Sequence, residues 1–453
     1  MKETICALAT APGGAIGIIR ISGDQSLEIL SHIFSKDISN AQPNTIHYGH
    51  IADIDEVLVS IFRAPHSYTG EDSVEISCHG SHYILKKVLE LLVQQGCRMA
   101  KPGEFTQRAF LNGKMDLSQA EAVADLIASN NKMTHQIAMG QLRGNFSSKL
   151  SELREQLLKL TSLLELELDF SDHEDLEFAD RKELLELAKI IDNHVLALAR
   201  SFETGQAIKN GIPVAIVGKT NVGKSTLLNR LLHEDRAIVS DVHGTTRDTI
   251  EDTIEIQGIS FRFIDTAGIR QTTDQVEKIG IERTFSAINK ARIILWVIDQ
   301  APSTEELNEI LECIENKKLI IIRNKIDKAD NSNFTIVKFP LIEISAKHGT
   351  NLSALEQAIY DAADIPALSD TDIVVTNARH YEALTRAHSH LQRVLEGLGY
   401  VNSSQASHDF FLPTDLISED LRLTLDTLSE ITGGQITTNE VLENIFTHFC
   451  VGK

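Results

Sequence analysis

The chain has 453 residues, which is more than one hydrophobic core usually organises, so two or three domains are expected. Hydrophobic residues make up 42% and charged residues 24%, which is typical of a soluble globular protein. The net charge of −21 repels nucleic acid on average, so a role on RNA requires a local basic patch or a partner that supplies one. Five scattered cysteines without a CxxC pair argue against a zinc site or a disulfide framework, and favour a reducing, cytoplasmic environment.

The first part of the chain, residues 1–117, predicts an α+β domain. Strand-like runs at 15–21 and 57–62 alternate with glycine turns, and residues 81–95 have helical periodicity. Prolines and glycines interrupt the apolar N-terminus, which is typical of a strand and turn rather than of a signal peptide. The longest aliphatic runs are too short to span a bilayer, so no membrane association is expected.

Long amphipathic stretches follow and predict a helical domain in two parts, at 118–210 and 366–453. The first part opens with Ser118 and Glu121 in the spacing of a capping box. Between the two parts, residues 211–365 alternate strand and helix patterns, which favours an inserted α/β domain with a mostly parallel sheet. Neither helical part alone buries its apolar face, so we expect the two parts to pack together. The fold class is therefore a multidomain α/β plus all-α protein.

A phosphate-binding loop opens the inserted domain. The buried-strand run at 214–217 leads into the sequence GKTNVGKS, which ends at Lys224 and Ser225, and a helical pattern follows. The glycines allow backbone N–H groups to converge on phosphates, Lys224 is expected to reach the β- and γ-phosphates, and the Ser225 hydroxyl to ligate Mg²⁺.

Three later motifs, each after a strand-like run, select GTP. Asp265 and Gly268 of DTAG are expected to act on the magnesium and the γ-phosphate. The carboxylate of Asp327, in NKID, suits the N1–H and N2–H₂ donors that guanine has and adenine lacks, which disfavours an ATPase. The sequence Ser-Ala-Lys at 345–347 is expected to contact the guanine O6. Together the motifs predict a Ras-like P-loop GTPase domain.

The segment GTTRD, at 244–248, is expected to complete the magnesium shell. Thr246 is the predicted ligand, and Thr245 is the alternative.

The catalytic residues are less conventional. Many GTPases orient the attacking water with a glutamine directly after the DxxG glycine, but Ile269 stands at that position. Hydrolysis is then either slow or assisted by another group. Glu277 lies downstream and, taken alone, is better explained as a solvated helix charge than as a catalytic residue.

Beyond these motifs, the whole chain resembles the MnmE (TrmE) family of tRNA modification GTPases. The resemblance rests on stretches from every part of the chain: GIIRISG at 17–23, YTGED at 68–72, PGEFTQRAFLNGK at 102–114, DLSQAEA at 116–122, VEKIGIER at 276–283, EDLR at 419–422, EITG at 430–433 and FCVGK at 449–453.

For the nucleotide site, the resemblance implies GTP hydrolysis that is stimulated when two GTPase domains of a homodimer meet with K⁺ bound near the phosphates. Asn221 matches the family's potassium ligand, and Ser240, Val242 and Thr245 match its other ligands. Glu277 matches the glutamate that orients the water, and it joins Lys224 and Asp265 as a predicted catalytic residue. The full set assigned to GTP is Asn221, Val222, Gly223, Lys224, Ser225, Thr226, Ser240, Asp241, Val242, His243, Gly244, Thr245, Thr246, Asp265, Thr266, Ala267, Gly268, Asn324, Lys325, Asp327, Ser345, Ala346 and Lys347.

For the N-terminal domain, the resemblance implies dimerisation and a tetrahydrofolate site. Arg20, Glu75 and Lys114 match the family's folate contacts, with Lys453 as a further one. The residues alone give no such signal, because Glu75 looks like an outward-facing strand residue and Arg20 like a strand-end charge. Cys450 matches the family's C-terminal cysteine and is a catalytic candidate, although a lone cysteine is usually a buried small hydrophobe.

The function implied by the resemblance is the formation of 5-carboxymethylaminomethyluridine, or its aminomethyl counterpart, at the wobble position of certain tRNAs. An FAD-dependent partner protein, a 5,10-methylene or 5-formyl tetrahydrofolate, GTP, Mg²⁺ and K⁺ complete the expected machinery. The alternative is a regulatory GTPase switch of the ribosome-assembly type, without a folate site. A metal site in the cluster Cys78, His79 and His82 is a weaker reading than a turn before a helix.

Overall fold

A computed structural model describes residues 3–169, 181–234, 252–264, 287–314, 317–328, 339–366, 369, 372–399, 414–434, 442, 445–447, 449 and 452. The chain divides into two compact units. One consists of Met1–Ala128, Ala138–Ala197 and Glu382–Lys453, and the other of Ser129–Ile137 and Leu198–Tyr381.

The first unit begins with a six-stranded sheet. Its strands are β1 (Ile5–Leu8), β2 (Ile16–Ser22), β3 (Thr45–Ile51), β4 (Asp55–Phe62), β5 (Ser73–His79) and β6 (Arg98–Met99), in the order β3-β4-β5-β2-β1-β6. All neighbours are antiparallel except β1 and β6. Three helices accompany the sheet: α1 (Ser26–Ser31), α2 (His82–Gln94) and α3 (Glu104–Leu111). The predicted α+β class, both predicted strands and the predicted helix are confirmed.

Alternation along the strands gives this sheet its two faces. On β2 and β5, Ile19, Ile21, Val74 and Ile76 are fully buried in the core, against which α2 packs. The residues between them point to the opposite face, and this face carries Arg20 and Glu75 in register with each other.

The helices of the first unit come from both sides of the inserted domain. They are α4 (Leu117–Ala128), the second half of α5 (Lys132–Leu142), α6 (Asn145–Asp169), most of α7 (Arg181–Asn210), most of α11 (Ala378–Gly397) and α12 (Thr414–Thr432). Helix α12 packs along α6 and contacts α4, and His388 of α11 bonds to the buried Asp192 of α7. The expectation that the two helical parts pack together is confirmed.

The start of α4 differs from the prediction. The helix begins at Leu117, so Ser118 lies inside its first turn. The reciprocal capping bonds are instead made by Asp116 and Gln119, because Asp116 Oδ1 accepts from Gln119 N at 2.9 Å and Gln119 Oε1 accepts from Asp116 N at 3.0 Å. The capping box is therefore real but lies two residues earlier, because Asp116 also meets the N-cap preference.

The second unit contains the α/β domain. Its strands are β7 (Ile212–Val217), β8 (Asp252–Ile256), β9 (Ile259–Phe263), β10 (Ile293–Ile298), β11 (Lys318–Arg323) and β12 (Leu341–Glu343), in the order β12-β11-β10-β7-β9-β8. Only the pair β8 and β9 is antiparallel, which confirms the predicted mostly parallel sheet. The helices are α8 (Lys224–Glu234), α9 (Thr304–Cys313) and α10 (Leu352–Ala362).

This unit also includes segments that precede the α/β domain in sequence. The end of α7 packs closely on the segment before α11: a Cβ on Gly205 would lie 2.1 Å from the carbonyl oxygen of Val375, and Gln206 Nε2 donates to Thr376 O at 2.7 Å. Within the part of the chain that the structure describes, no helix has the length and apolar character needed to cross a bilayer.

Candidate nucleotide site

The phosphate-binding loop joins the end of β7 to the start of α8. The loop turns through three residues with positive φ: Gly218 at 144°, Asn221 at 63° and Gly223 at 100°. Glycine tolerates this region without cost, and asparagine tolerates it better than most residues. A Cβ on Gly218 would lie 2.2 Å from Val297 O at the end of β10, so a glycine is required for the loop to pack against the sheet.

Lys224 folds back over the loop that precedes it. Its Nζ donates to Gly218 O and Lys219 O, both at 2.6 Å. Burial lowers the pKa of this ammonium, because a desolvated cation is less stable than a hydrated one. A phosphate in the loop would favour the charged form, so the side chain is suited to bind an anion there.

Asn324 links the phosphate loop to the predicted base-binding loop. Its Nδ2 donates to Val222 O at 2.8 Å, and its Oδ1 accepts from Ala346 N at 3.0 Å. The side chain is buried, and a Cβ on Gly223 would lie 2.2 Å from its Nδ2. One amide therefore fixes the spacing between two loops that are far apart in sequence.

Lys325 and Asp327 follow Asn324 in the same loop. Lys325 Nζ donates to Asn221 O at 2.6 Å and pairs with Asp299 at 2.9 Å, which gives the phosphate loop a second tie. Ser345 Oγ donates to Asp327 Oδ1 at 2.6 Å, and this hydrogen bond lowers the pKa of the carboxyl group. Asp327 is therefore ionised at neutral pH and able to accept hydrogen bonds from a base edge.

The structure thus brings three of the predicted motifs together: the phosphate loop, Asn324 to Asp327, and Ser345 to Lys347. Ser225 and Thr226 lie in the first turn of α8. Ala346, which belongs to the segment expected to contact the guanine O6, donates its backbone N–H to Asn324, and the sequence did not indicate this bond. The remaining predicted residues lie outside the described part of the chain: Ser240, Asp241, Val242, His243, Gly244, Thr245, Thr246, Asp265, Thr266, Ala267, Gly268 and Glu277.

A second group of predicted residues meets on the open face of the N-terminal sheet. Arg20 lies in the interior of β2, not at a strand end, and forms an ion pair with Glu75 through Nε at 2.9 Å and Nη2 at 2.8 Å. The Arg20 guanidinium lies over the rings of Tyr68 and Phe105, at 5.4 and 5.7 Å from their centroids, which are cation–π distances. The sequence motifs contained both aromatic residues, but only the fold shows their contact with Arg20.

The C-terminal segment reaches the same arginine. Arg20 Nη1 donates to Gly452 O at 3.0 Å. Gly452 has a φ of 94°, and a Cβ there would lie 2.1 Å from Leu8 O, so a larger residue cannot occupy this position without displacement. Cys450, two residues before Gly452, and Lys453, directly after it, lie outside the described residues.

The loop between β4 and β5 borders this group of residues. Lys114 Nζ donates to Pro65 O at 2.9 Å, and Tyr68 Oη shares a 2.8 Å hydrogen bond with Thr106 of α3. Beneath the loop, the buried Arg108 pairs with Glu71 at 2.9 Å and with Glu104 at 3.1 Å. Removal of one partner from such a buried pair is costly, so this network holds the loop and α3 together.

The cluster around Cys78 has an ordinary structural role. His79 ends β5 and bonds to Asp55 at 2.7 Å, and His82 begins α2. Burial raises the pKa of the Cys78 thiol to about 12. Among the described residues, no group of three histidine, cysteine, aspartate or glutamate side chains could hold a metal ion.

Comparisons with known proteins match the whole chain. The family model described as the GTP-binding protein TrmE N-terminus matches residues 4–114, and the MnmE helical domain matches residues 117–450. The tRNA modification GTPase MnmE of Phocaeicola vulgatus is 52% identical, over 100% of this chain and 99% of its own length. The protein of the same name from Bacteroides fragilis is 53% identical over 100% of both chains. Among solved structures, the G domain of the T. maritima FeoB iron transporter is 24% identical and covers 34% of this chain and 98% of that chain, with a TM-score of 0.25.

The fold and the site define the class of the protein first. A phosphate loop between strand and helix, on a mostly parallel sheet with a carboxylate at the predicted base site, is that of a P-loop GTPase. Because one family model covers most of the chain and full-length relatives exceed 50% identity, the chain belongs to the MnmE family of tRNA modification GTPases.

The Asn324 joint generates a first prediction. Asn324→Ala removes two buried hydrogen bonds and leaves Val222 O and Ala346 N without this partner, which costs about 2–4 kcal/mol. We expect GDP and GTP affinity, measured by titration calorimetry, to fall at least about tenfold. Asn210→Ala, which removes only an exposed hydrogen bond to Gln206 in the same unit, serves as the control. Unchanged nucleotide affinity in Asn324→Ala would show that the joint does not organise the site.

Proposed function

We propose that this GTP hydrolase acts in the modification of the tRNA wobble uridine, forming the 5-carboxymethylaminomethyl group together with an FAD-dependent partner protein. Family membership over the full length, together with a phosphate loop and a carboxylate in one nucleotide site, carries the proposal. The chain is then organised as an N-terminal folate-binding and dimerising domain at 1–117, helical segments at 118–210 and 366–453, and a GTPase domain at 211–365. It works as a homodimer in the cytoplasm.

The nucleotide site uses oxygen donors that suit its proposed metal ions. Ser225 and Thr246 ligate Mg²⁺, for which hydroxyl oxygens are appropriate ligands. Asn221, an exposed residue of the phosphate loop, offers an amide oxygen to K⁺. Ser240, Val242 and Thr245 are further ligands in this proposal. The bound K⁺ supplies the positive charge that an arginine supplies in other GTPases.

Catalysis in this proposal depends on the pairing of two GTPase domains. Lys224 and Asp265 act on the phosphates and the magnesium. Glu277 orients the attacking water, because Ile269 stands at the position where many GTPases have a glutamine for this role. A single GTPase domain then hydrolyses GTP slowly, and a pair of domains hydrolyses it rapidly. GTP hydrolysis then drives a conformational step in the tRNA reaction.

The potassium role generates a second prediction. GTP turnover by the full chain should be at least about tenfold faster in KCl than in NaCl, a difference of about 1.4 kcal/mol in activation free energy. Asn221→Gly removes the amide oxygen and still accepts the positive φ of this position. It should therefore lose the stimulation by potassium while keeping the turnover measured in NaCl. Equal wild-type rates in both salts would refute the potassium mechanism.

The N-terminal site is proposed to bind a reduced folate, in the 5,10-methylene or 5-formyl form, through Arg20, Glu75, Lys114 and Lys453. A guanidinium and a carboxylate side by side, next to two aromatic rings, fit the polar edge and flat face of a pterin. Cys450 is proposed to take part in the chemistry at this end of the molecule.

This assignment generates a third prediction, which also separates the proposal from a regulatory GTPase switch. Arg20→Ala leaves Glu75 without its ion-pair partner and removes the proposed ligand contact. The affinity for 5-formyltetrahydrofolate, measured by calorimetry, should fall at least about tenfold. GTP turnover should not change. Lys87→Ala, which breaks an exposed pair with Glu90 in the same unit, should leave both values unchanged. Failure of the wild-type protein to bind folate would favour the switch.

A further inference from the structure

The hairpin of β8 and β9 lies at one edge of the second sheet. Strand β8 is at the edge and pairs only with β9. Strand β9 in turn pairs with β7 over three residues, from Phe261 to Phe263. The turn of the hairpin and the first residues of β9 therefore extend beyond the parallel ladder and need support from elsewhere.

That support comes from the start of α5, more than a hundred residues earlier in the chain. Asn131 Nδ2 donates to Ser260 Oγ at 2.8 Å, and Met133 N donates to Gly258 O at 3.1 Å. Asn131 is 6% exposed and Ser260 is 5% exposed, so water does not compete for their hydrogen bond. The Met133 side chain also packs against the hydrophobic core of the α/β domain.

The same asparagine begins the helix that holds it. Asn131 Oδ1 accepts from Thr134 N at 2.8 Å, which is the N-cap bond of α5. The amide oxygen of Asn131 thus bonds to the helix, and its amide nitrogen bonds to the sheet. Rotation of the side chain would break both bonds, so the joint is geometrically fixed. Gly258, with a φ of 86°, allows Lys132 to approach the turn closely.

The hairpin connects the two segments that the sequence assigns to the γ-phosphate and magnesium. Strand β8 begins four residues after Asp248, the end of GTTRD, and β9 ends two residues before Asp265. We propose that Asn131 is a positioning residue for GTP hydrolysis: it fixes β9 through Ser260 and so restricts the ends of both segments. The phosphate loop and the two predicted base-binding loops follow β7, β11 and β12 instead, so the binding of GDP does not depend on this hydrogen bond.

The test compares two variants that remove the bond between Asn131 and Ser260. Asn131→Ser also loses the 3.2 Å bond from Asn131 Nδ2 to Asn130 Oδ1, whereas Ser260→Ala keeps it. Asn131→Ser keeps a capping hydroxyl but is too short to reach Ser260 as well, and Ser260→Ala removes the other partner. In the full chain with KCl, each should lower kcat for GTP about three- to tenfold while the GDP Kd stays within about twofold. The double variant should be no slower than the slower single variant, because both remove one interaction. Ser260→Thr, which keeps a hydroxyl, should retain most of the wild-type kcat.

Gln357→Ala is the matched control, because it removes an exposed hydrogen bond to Gln257 at the same hairpin turn. Its kcat should equal that of the wild type. The inference is overturned if Asn131→Ser and Ser260→Ala hydrolyse GTP at the wild-type rate, if their effects multiply in the double variant, or if GDP affinity falls as much as kcat. These outcomes do not depend on folate binding or on the tRNA product.

Discussion

The side chain of Asn324 is the interaction on which the nucleotide site depends. Its amide joins the phosphate loop after β7 to the base-binding loop after β12, and it is buried where water cannot replace either bond. Gly223 is required at this point because a Cβ would collide with the amide. One buried side chain therefore holds the phosphate loop and the predicted base-binding loop together, and Asp327 and Lys224 lie in the neighbouring loops with the charges proposed to act on the nucleotide.

On the N-terminal sheet, the side chain of Arg20 is likewise held by several contacts at once. Arg20 is fixed by a carboxylate, two aromatic rings and the carbonyl oxygen of Gly452, and the close approach of Gly452 to β1 brings the C-terminal segment to it. The two ends of the chain thus form one site, and the inserted GTPase domain lies between them in sequence. We propose that GTP is hydrolysed in one unit and that the reduced folate binds in the other.

Motifs and patterns of neighbouring residues predicted much of the fold and of the nucleotide site. Contacts between residues far apart in the sequence were not predicted. The phosphate loop, the NKID carboxylate and the mostly parallel sheet depend on short spacings and on period-2 or helical patterns, which are readable directly. The pairing of Arg20 with Glu75 depends on the register of β2 and β5, and the bond between Asn131 and Ser260 joins residues 129 positions apart. No pattern in one sequence specifies such contacts, because they result from tertiary packing.

We propose that GTP hydrolysis at Lys224 serves the modification of a tRNA uridine. Mass analysis of wobble uridines, in tRNA from cells that lack this protein and carry either the wild-type gene or Lys224→Ala, tests it most directly. We expect the 5-carboxymethylaminomethyl group to be absent in the deletion, restored by the wild type and not restored by Lys224→Ala. A deletion strain with normally modified uridines, or full restoration by Lys224→Ala, would contradict it.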